Sequence, residues 1–173
     1  MTDGALRLAE LGPLREDQWA ELIDGEPDPF DSDPALTFRP KERHVALVDH
    51  DGAMVACAGL TCAAMTVGAE HIDVVGIGGV IVRADRRGGG LARRLMEAAL
   101  RRAAALGPPF ALLFCRSDRA GLYRRVGFEA VSGAVVVDQP AGPRPIPLET
   151  MWHPLRPGVT WPPGDPVLDG LPF

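Results

Sequence analysis

The sequence predicts an α/β fold, specifically a mixed α+β sheet of mostly antiparallel strands flanked by helices. Residues 43–82 contain three apolar stretches separated by turn signals, which is typical of an antiparallel meander. A strand, a glycine-rich turn and a helix follow over residues 80–106. Residues 109–116 then form another apolar, buried-type strand. Because a helix separates the two strands, we expect the later one to pair in parallel with the earlier one.

The N-terminal part predicts one strand, one helix and one loop. Residues 5–11 alternate apolar and polar side chains, as a half-buried strand does. Residues 13–23 favour a helix with Pro13 in its first turn. Residues 25–34 are rich in Pro and Asp, which predicts a loop. Two interpretations of this loop stay open: a solvated connection, or an acidic rim that attracts a cationic substrate.

Glycines interrupt the last strand of the meander. The three strands are expected at residues 43–50, 53–67 and 71–82, with a hairpin signal at Asp51-Gly52. The third strand contains the run Gly76-Ile77-Gly78-Gly79. Glycine inside a strand indicates a β-bulge or the close approach of another segment, so we expect one of these features here.

The turn that follows this strand has the composition of an anion site. Gly88, Gly89 and Gly90 let backbone N–H groups approach a ligand closely at the N-terminus of a helix. Arg86 and Arg87 add positive charge. The predicted ligand therefore carries a phosphate or pyrophosphate, and the alternative is an ordinary surface turn. The spacing matches neither GxxxxGK(S/T) nor GxGxxG. The helix after the turn has an apolar stripe formed by Leu95, Met96, Ala99, Leu100, Ala103 and Leu106.

A second helix and a proline-rich segment complete the chain. Ser117 or Asp118 is expected to cap a helix that ends at Gly127. A strand is expected at residues 133–138. Residues 139–173 contain ten of the seventeen prolines, yet they also carry many large apolar side chains.

The proline-rich segment is therefore expected to be ordered. Its density of prolines excludes long regular elements except around Ile146–Trp152. We expect it to wrap over a single domain that spans residues 1–173, with the core of the domain at residues 5–138.

Composition narrows the range of partners. The net charge of −5 argues against a general nucleic-acid binder. Three cysteines at irregular spacing provide neither a disulfide framework nor a metal-ligand pattern. No stretch has the pattern of a membrane span or of a secretion signal. We expect a cytoplasmic protein without metal, membrane or nucleic-acid partners, and we leave open whether it forms a homodimer.

Two stretches resemble the signatures of a known family. Residues 87–92, Arg-Gly-Gly-Gly-Leu-Ala, resemble the Q/R-x-x-G-x-G/A pyrophosphate loop of GCN5-related N-acetyltransferases (GNATs). Residues 122–129, Leu-Tyr-Arg-Arg-Val-Gly-Phe-Glu, resemble that family's second signature. The resemblance implies the acyl-CoA N-acyltransferase fold, in which a parallel strand pair splays apart. It also implies direct transfer of an acetyl group from acetyl-CoA to a primary amine.

The same resemblance implies roles for individual residues. Tyr123 stands where the family's general acid protonates the departing CoA thiolate. Backbone groups around Val80 are expected to hold the pantetheine arm and to supply an oxyanion donor. The residues expected to bind acetyl-CoA are Val80, Ile81, Val82, Arg87, Gly88, Gly89, Gly90, Leu91 and Ala92.

The acceptor and the general base are less well defined. Many family members carry a Glu on the bulged strand, where this chain has Ile77-Gly78-Gly79. The base therefore stays unassigned, and the candidates besides a water chain are His71, Asp73, Asp118, Asp28 and Asp31. The side chains expected to contact a small cationic acceptor are Asp28, Asp31 and Asp118.

Three acceptor classes or functions remain in competition. The spacing of residues 44–92 resembles that of aminoglycoside 2′-N-acetyltransferases, which also end in a short tail containing Trp, Gly and Asp. The missing strand Glu departs from that subfamily. A protein or peptide N-acetyltransferase is the second alternative. The third is a non-catalytic acyl-CoA sensor, which the missing carboxylate favours and the Tyr123 signature opposes.

Overall fold

The computed structural model describes residues 5–26 and 35–173, and all the strands in this part of the chain belong to one sheet. The strands are β1 (Arg7–Leu11), β2 (Arg43–Val48), β3 (Met54–Val67), β4 (Glu70–Val82), β5 (Phe110–Cys115), β6 (Glu129–Ala130), β7 (Val136–Val137), β8 (Arg144–Pro145), β9 (Glu149–Pro154) and β10 (Pro166–Leu168). The helices are α1 (Glu16–Ile23), α2 (Leu91–Ala104) and α3 (Ala120–Arg124). None of these helices, within the described residues, is long and apolar enough to cross a membrane.

The sheet is mixed and mostly antiparallel, as the sequence predicts. Its strand order is β6-β9-β5-β4-β3-β10-β7-β8, with β2 and then β1 beside the first half of β3. The β4–β5 pair is parallel, and so is the single bridge between β10 and β7. The other strand pairs are antiparallel.

Helices cover both faces of the central strands. Helix α2 packs on one face through its predicted apolar stripe, in which Leu95, Met96, Ala99 and Ala103 are buried. Helix α1 covers the opposite face, where Leu22 joins a smaller core. Residues 54–61 of β3 are consequently buried without interruption, because neither face of that part of the strand meets solvent.

A β-bulge interrupts β4 at the glycines. Cys57 of β3 pairs with Ile81, but Gly59, only two residues further along β3, pairs with Gly78. One additional residue therefore lies in β4 between these two pairs. Gly79 within this interval has φ +59°, a left-handed conformation that side chains disfavour. The predicted bulge is confirmed.

The neighbouring glycines are closely approached from the α1 face of the sheet. A Cβ atom at Gly76 would lie 2.5 Å from the ring of Phe173, and one at Gly78 would lie 2.6 Å from the main-chain carbonyl carbon of Phe173. The stem of Lys41 crosses Gly59 and Gly78 on the same face. Glycine is required at these positions because no side chain fits beneath the two residues.

The proline-rich segment contributes strands to the sheet as well as covering it. All six residues of β9 pair with β5, and β9 lies between β5 and β6. Pro147 precedes this strand and Pro154 ends it, so the residues between them can donate backbone hydrogen bonds to a neighbour. The ring of Trp152 packs edge-on against Phe110 of β5, with centroids 5.8 Å apart.

Two of the three predicted helices begin at residues other than the expected ones. Helix α1 begins at Glu16, so Pro13 lies outside it. Residues Ser117–Arg119 form a short 3₁₀ turn before α3, and neither Ser117 nor Asp118 caps the helix. The carboxylate of Asp118 pairs instead with the guanidinium of Arg116 at 3.1 Å, which removes it from the helix terminus.

Candidate active site

The two parallel strands separate in the middle of the sheet. The β4–β5 pairing ends at Ile77 and Leu113, although β4 continues to Val82 and β5 to Cys115. The remaining residues of β5 stay paired with β9, so no strand of the described chain fills the opening on the β5 side of β4. The predicted splay is confirmed, and it leaves main-chain groups of β4 available to an extended ligand.

A glycine-rich loop lies at the end of β4, immediately before α2. Gly88 and Gly90 have φ values of +84° and +74°, and Gly90 is the residue that precedes the helix. The first backbone hydrogen bond of the helix runs from the N–H of Arg94 to the carbonyl of Gly90, at 3.1 Å. The amides of residues 88–93 thus have no backbone acceptor in the part of the chain that is described.

The loop is also open to approach. A Cβ atom at Gly88, Gly89 or Gly90 would meet nothing within 4 Å. Unpaired N–H groups, an open approach and the positive end of the α2 dipole together suit an anion of the size of a pyrophosphate. The residues present therefore fit the phosphate part of a CoA molecule.

The two arginines of the loop differ in their contacts. Arg87 donates from Nε to the carbonyl of Val82 at 3.0 Å and from Nη2 to Oε2 of Glu26 at 2.8 Å. Arg86 is half-buried and forms no ion pair with a carboxylate of the described residues. Its charge contributes to holding the pKa of Asp85 below the ordinary value, a shift caused first by the hydrogen bonds that the Arg83 guanidinium donates to this carboxylate.

The three residues at the end of β4 face opposite sides of the sheet. The side chains of Val80 and Val82 pack against the core beneath α2, whereas Ile81 is buried in the smaller core under α1. The side chain of Ile81 is thus a structural contact. Its main chain pairs with Cys57 of β3, and its contact with the cofactor stays a prediction.

Tyr123 is buried beside the end of β5. Its ring belongs to the same core as Val80 and Cys115, and it packs edge-on against Phe128 with centroids 6.1 Å apart. Burial raises the pKa of Tyr123 to about 12, with the nearby Cys115 adding to the increase and Arg119 opposing it. The phenol therefore keeps its proton throughout the neutral range, as a general acid must.

Two further titratable groups lie near Tyr123 that the sequence did not indicate. Burial and the neighbouring Glu149 raise the pKa of the Cys115 thiol to about 11, so it is not a thiolate at neutral pH. Glu149 contacts Arg124 at 3.4 Å through Oε1, while its Oε2 is buried without a hydrogen-bond partner among the described residues. Only the pairing of β9 with β5 brings Glu149 beside Cys115.

A histidine that the sequence did not single out lies on the other face of the sheet. His44, Gly59 and Gly78 form one cross-strand row. The Nδ1 of His44 donates to the carbonyl of Gly12 at 2.8 Å, a tautomer assigned from this acceptor. Burial lowers the pKa of His44, so the ring is neutral at pH 7. The stem of Lys41 lies against Gly59 and Gly78 of this row.

The register of β4 places two of the candidate bases far from the bulge. Asp73 and His71 precede Gly78 by five and seven residues, which corresponds to roughly 16 and 23 Å along a strand. His71 instead contacts the hydroxyl of Thr66 at 3.0 Å near the β3–β4 turn. Neither side chain reaches the opening between β4 and β5.

Of the three carboxylates predicted to contact the acceptor, the structure describes Asp118 alone. Asp118 is exposed and lies in ion pairs with Arg116 and, at 4.0 Å, with Arg119. Asp28 and Asp31 lie outside the described residues. The role of all three in acceptor binding stays a prediction.

Comparison with known proteins identifies the fold and the family. Comparison with curated protein sequences yields no significant match. An Escherichia coli GNAT family N-acetyltransferase (YhbS) in complex with CoA is 22% identical, with a TM-score of 0.60 over 99% of this chain and 93% of that chain. A Brucella melitensis GNAT family acetyltransferase in complex with acetyl-CoA is 18% identical, with a TM-score of 0.54 over 92% and 94%.

A third similar structure contains an acetylated product as well as coenzyme A. Neisseria gonorrhoeae N-acetylglutamate synthase, complexed with coenzyme A and N-acetyl-glutamate, is 18% identical, with a TM-score of 0.56 over 87% of this chain and 35% of that chain.

The family model of the acetyltransferase (GNAT) domain matches residues 16–131, which is more than half of the sequence. The chain therefore belongs to the GNAT family and is an N-acetyltransferase that uses acetyl-CoA as its cosubstrate.

Proposed function

We propose that this enzyme transfers the acetyl group of acetyl-CoA directly to the primary amine of a small, cationic acceptor in a ternary complex. The observation that carries the proposal is the opening of the sheet beyond Ile77 and Leu113. An open glycine loop lies at one end of β4 beside this opening, and Tyr123 packs in the core that borders it.

In this proposal acetyl-CoA lies along the edge of β4 that β5 leaves unpaired beyond Ile77. The pantetheine arm enters the opening and bonds to main-chain groups of residues 80–82, while the amides of Gly88 to Ala92 hold the pyrophosphate. The unpaired amides of the loop support this arrangement, because backbone N–H groups at a helix N-terminus donate hydrogen bonds to a phosphate. The carbonyl of Val82 already accepts from Arg87, which leaves its N–H as the group for the ligand.

The chemistry needs few side chains. The amine nitrogen attacks the thioester carbon, a C–N bond forms, and a main-chain N–H near Val80 stabilises the negative charge on the oxygen. The C–S bond then breaks and Tyr123 donates its proton to the departing sulfur. The amine gives up one proton to solvent, because the bulge at residues 78–80 carries no titratable side chain to receive it. The phenolate of Tyr123 then regains a proton from solvent, which restores the enzyme.

Charge supports a cationic acceptor. Residues 21–33 contain six acidic side chains and no Lys or Arg. Within the described part of this stretch, Asp24 and Glu26 lie at the end of α1, on the face of the sheet opposite α2. We propose that the carboxylates of Asp28 and Asp31, which lie outside the described residues, contact the acceptor and that Asp118 contributes from the end of β5.

Replacing the proposed general acid tests the chemical step. Tyr123→Phe removes only the hydroxyl, so thiol release from acetyl-CoA in the presence of the best amine is expected to fall by roughly ten- to a thousandfold. The assay uses aminoglycosides, polyamines, amino acids and basic peptides, with a thiol-reactive dye as readout. The dissociation constant for acetyl-CoA is the control and is expected to stay within about twofold. An unchanged turnover number in the variant would exclude Tyr123 as the acid.

The protonation state of Tyr123 can be measured directly, because it is the only tyrosine in the chain. Burial raises its pKa to about 12, so the folded protein is expected to show no tyrosinate absorbance until the pH exceeds about 11. The urea-unfolded chain should titrate near 10. The stability that this difference contributes is complete below pH 10 and is lost as the pH rises towards 12. A native titration midpoint near 10 would contradict the burial of the phenol.

A pair of glycine substitutions tests the phosphate loop. Gly90→Glu places a negative charge in the anion site and is expected to raise the dissociation constant for acetyl-CoA at least about tenfold, measured by calorimetry. Gly133→Glu is the matched control, since Gly133 also has a positive φ, +81°, and open space around it, but lies between β6 and β7. Equal effects of the two variants would show that backbone strain is the cause rather than the loss of an anion site.

A further inference from the structure

Arg87 connects the glycine loop to the end of β4 and to a residue that is distant in sequence. Its Nε donates to the carbonyl of Val82 at the end of β4, and its Nη2 donates to Glu26, which is 61 residues away. Its own backbone N–H bonds to the carbonyl of Ala84 at 3.3 Å. The guanidinium is therefore directed towards β4 and α1.

Glu26 is itself fixed to the helix that precedes it. Its N–H donates to the carbonyl of Ile23 at 3.1 Å, just after Asp24 and Gly25, both of which have a positive φ. Ile23 in turn packs against the core under α1 that contains Ile81. Glu26, whose carboxylate accepts the hydrogen bond from Arg87, is consequently anchored to the face of the sheet opposite α2.

The neighbouring arginine offers a contrast within the same loop. Arg86 has no ion pair with the described carboxylates, whereas Arg87 is paired with Glu26 at 2.8 Å. A guanidinium can hold two acceptors at once because its donors form a planar fork, which a lysine ammonium cannot reproduce. The geometry around Arg87 depends on this fork, since two acceptors from different elements are bound simultaneously.

We propose that Arg87 is a positioning residue that binds the phosphate loop to β4 and α1, and that Arg86 provides the cationic side chain for the phosphates. This inference rests on the proposed acetyl-CoA site. The Arg87–Glu26 pair holds the end of β4, the loop and the C-terminal end of α1 in one arrangement, so cofactor binding depends on Glu26 although that residue contacts no phosphate.

The test separates charge from geometry by comparing lysine with glutamine at each arginine. Acetyl-CoA dissociation constants are measured by calorimetry for wild type, Arg87→Lys, Arg87→Gln, Glu26→Gln and the Glu26→Gln/Arg87→Gln double variant. Arg86→Lys and Arg86→Gln are the matched controls. Because the ion pair is half-exposed, we expect Arg87→Lys, Arg87→Gln and Glu26→Gln each to weaken binding by about two- to fivefold.

The double variant should be no weaker than Arg87→Gln alone, because both substitutions remove the same interaction. At Arg86, lysine should be close to wild type and glutamine clearly weaker. Wild-type affinity in Arg87→Lys, or tighter binding in Glu26→Gln, would show that Arg87 acts as a phosphate charge and would overturn the proposal. If the wild-type protein bound no acetyl-CoA, the proposed donor site would be wrong together with this inference.

Discussion

One additional residue in β4 determines how the site is built. The bulge between Gly78 and Ile81 shifts the register of β4 against β3, and β4 loses its pairing with β5 just before this point, at Ile77. A sheet that stayed paired to the end of both strands would leave no main-chain groups for a ligand. Here the two strands separate while each keeps its other neighbour, so the opening costs few backbone hydrogen bonds.

The other parts of the site depend on this opening. The glycine loop follows directly from the end of β4, so the amides at the start of α2 lie beside it. Tyr123 is buried among residues that include Val80 and Cys115, which raises its pKa and keeps it protonated. On the opposite face, Phe173 and Lys41 lie directly on the glycines of β4, which explains why this strand carries no Glu at these positions.

Local patterns predicted much of this arrangement. Alternation and turn residues located β1 to β5. The glycines of β4 indicated a bulge or a close approach, and the structure contains both. Contacts between distant residues could not be predicted. The pairing of β9 with β5 and the Arg87–Glu26 pair depend on register and packing, which no local pattern specifies. The helix cap expected from Asp118 was wrong because Arg116 competes for the same carboxylate.

The central claim is that the opening between β4 and β5 and the loop after it together bind acetyl-CoA. Amide hydrogen exchange, measured by NMR with and without saturating acetyl-CoA, tests it residue by residue. We expect slower exchange at residues 78–82 and at Gly88 to Ala92, whose amides include the unpaired donors of the loop. Unchanged exchange at both segments, with protection confined to the cavity lined by Cys62, Asp73 and Pro108, would contradict the claim.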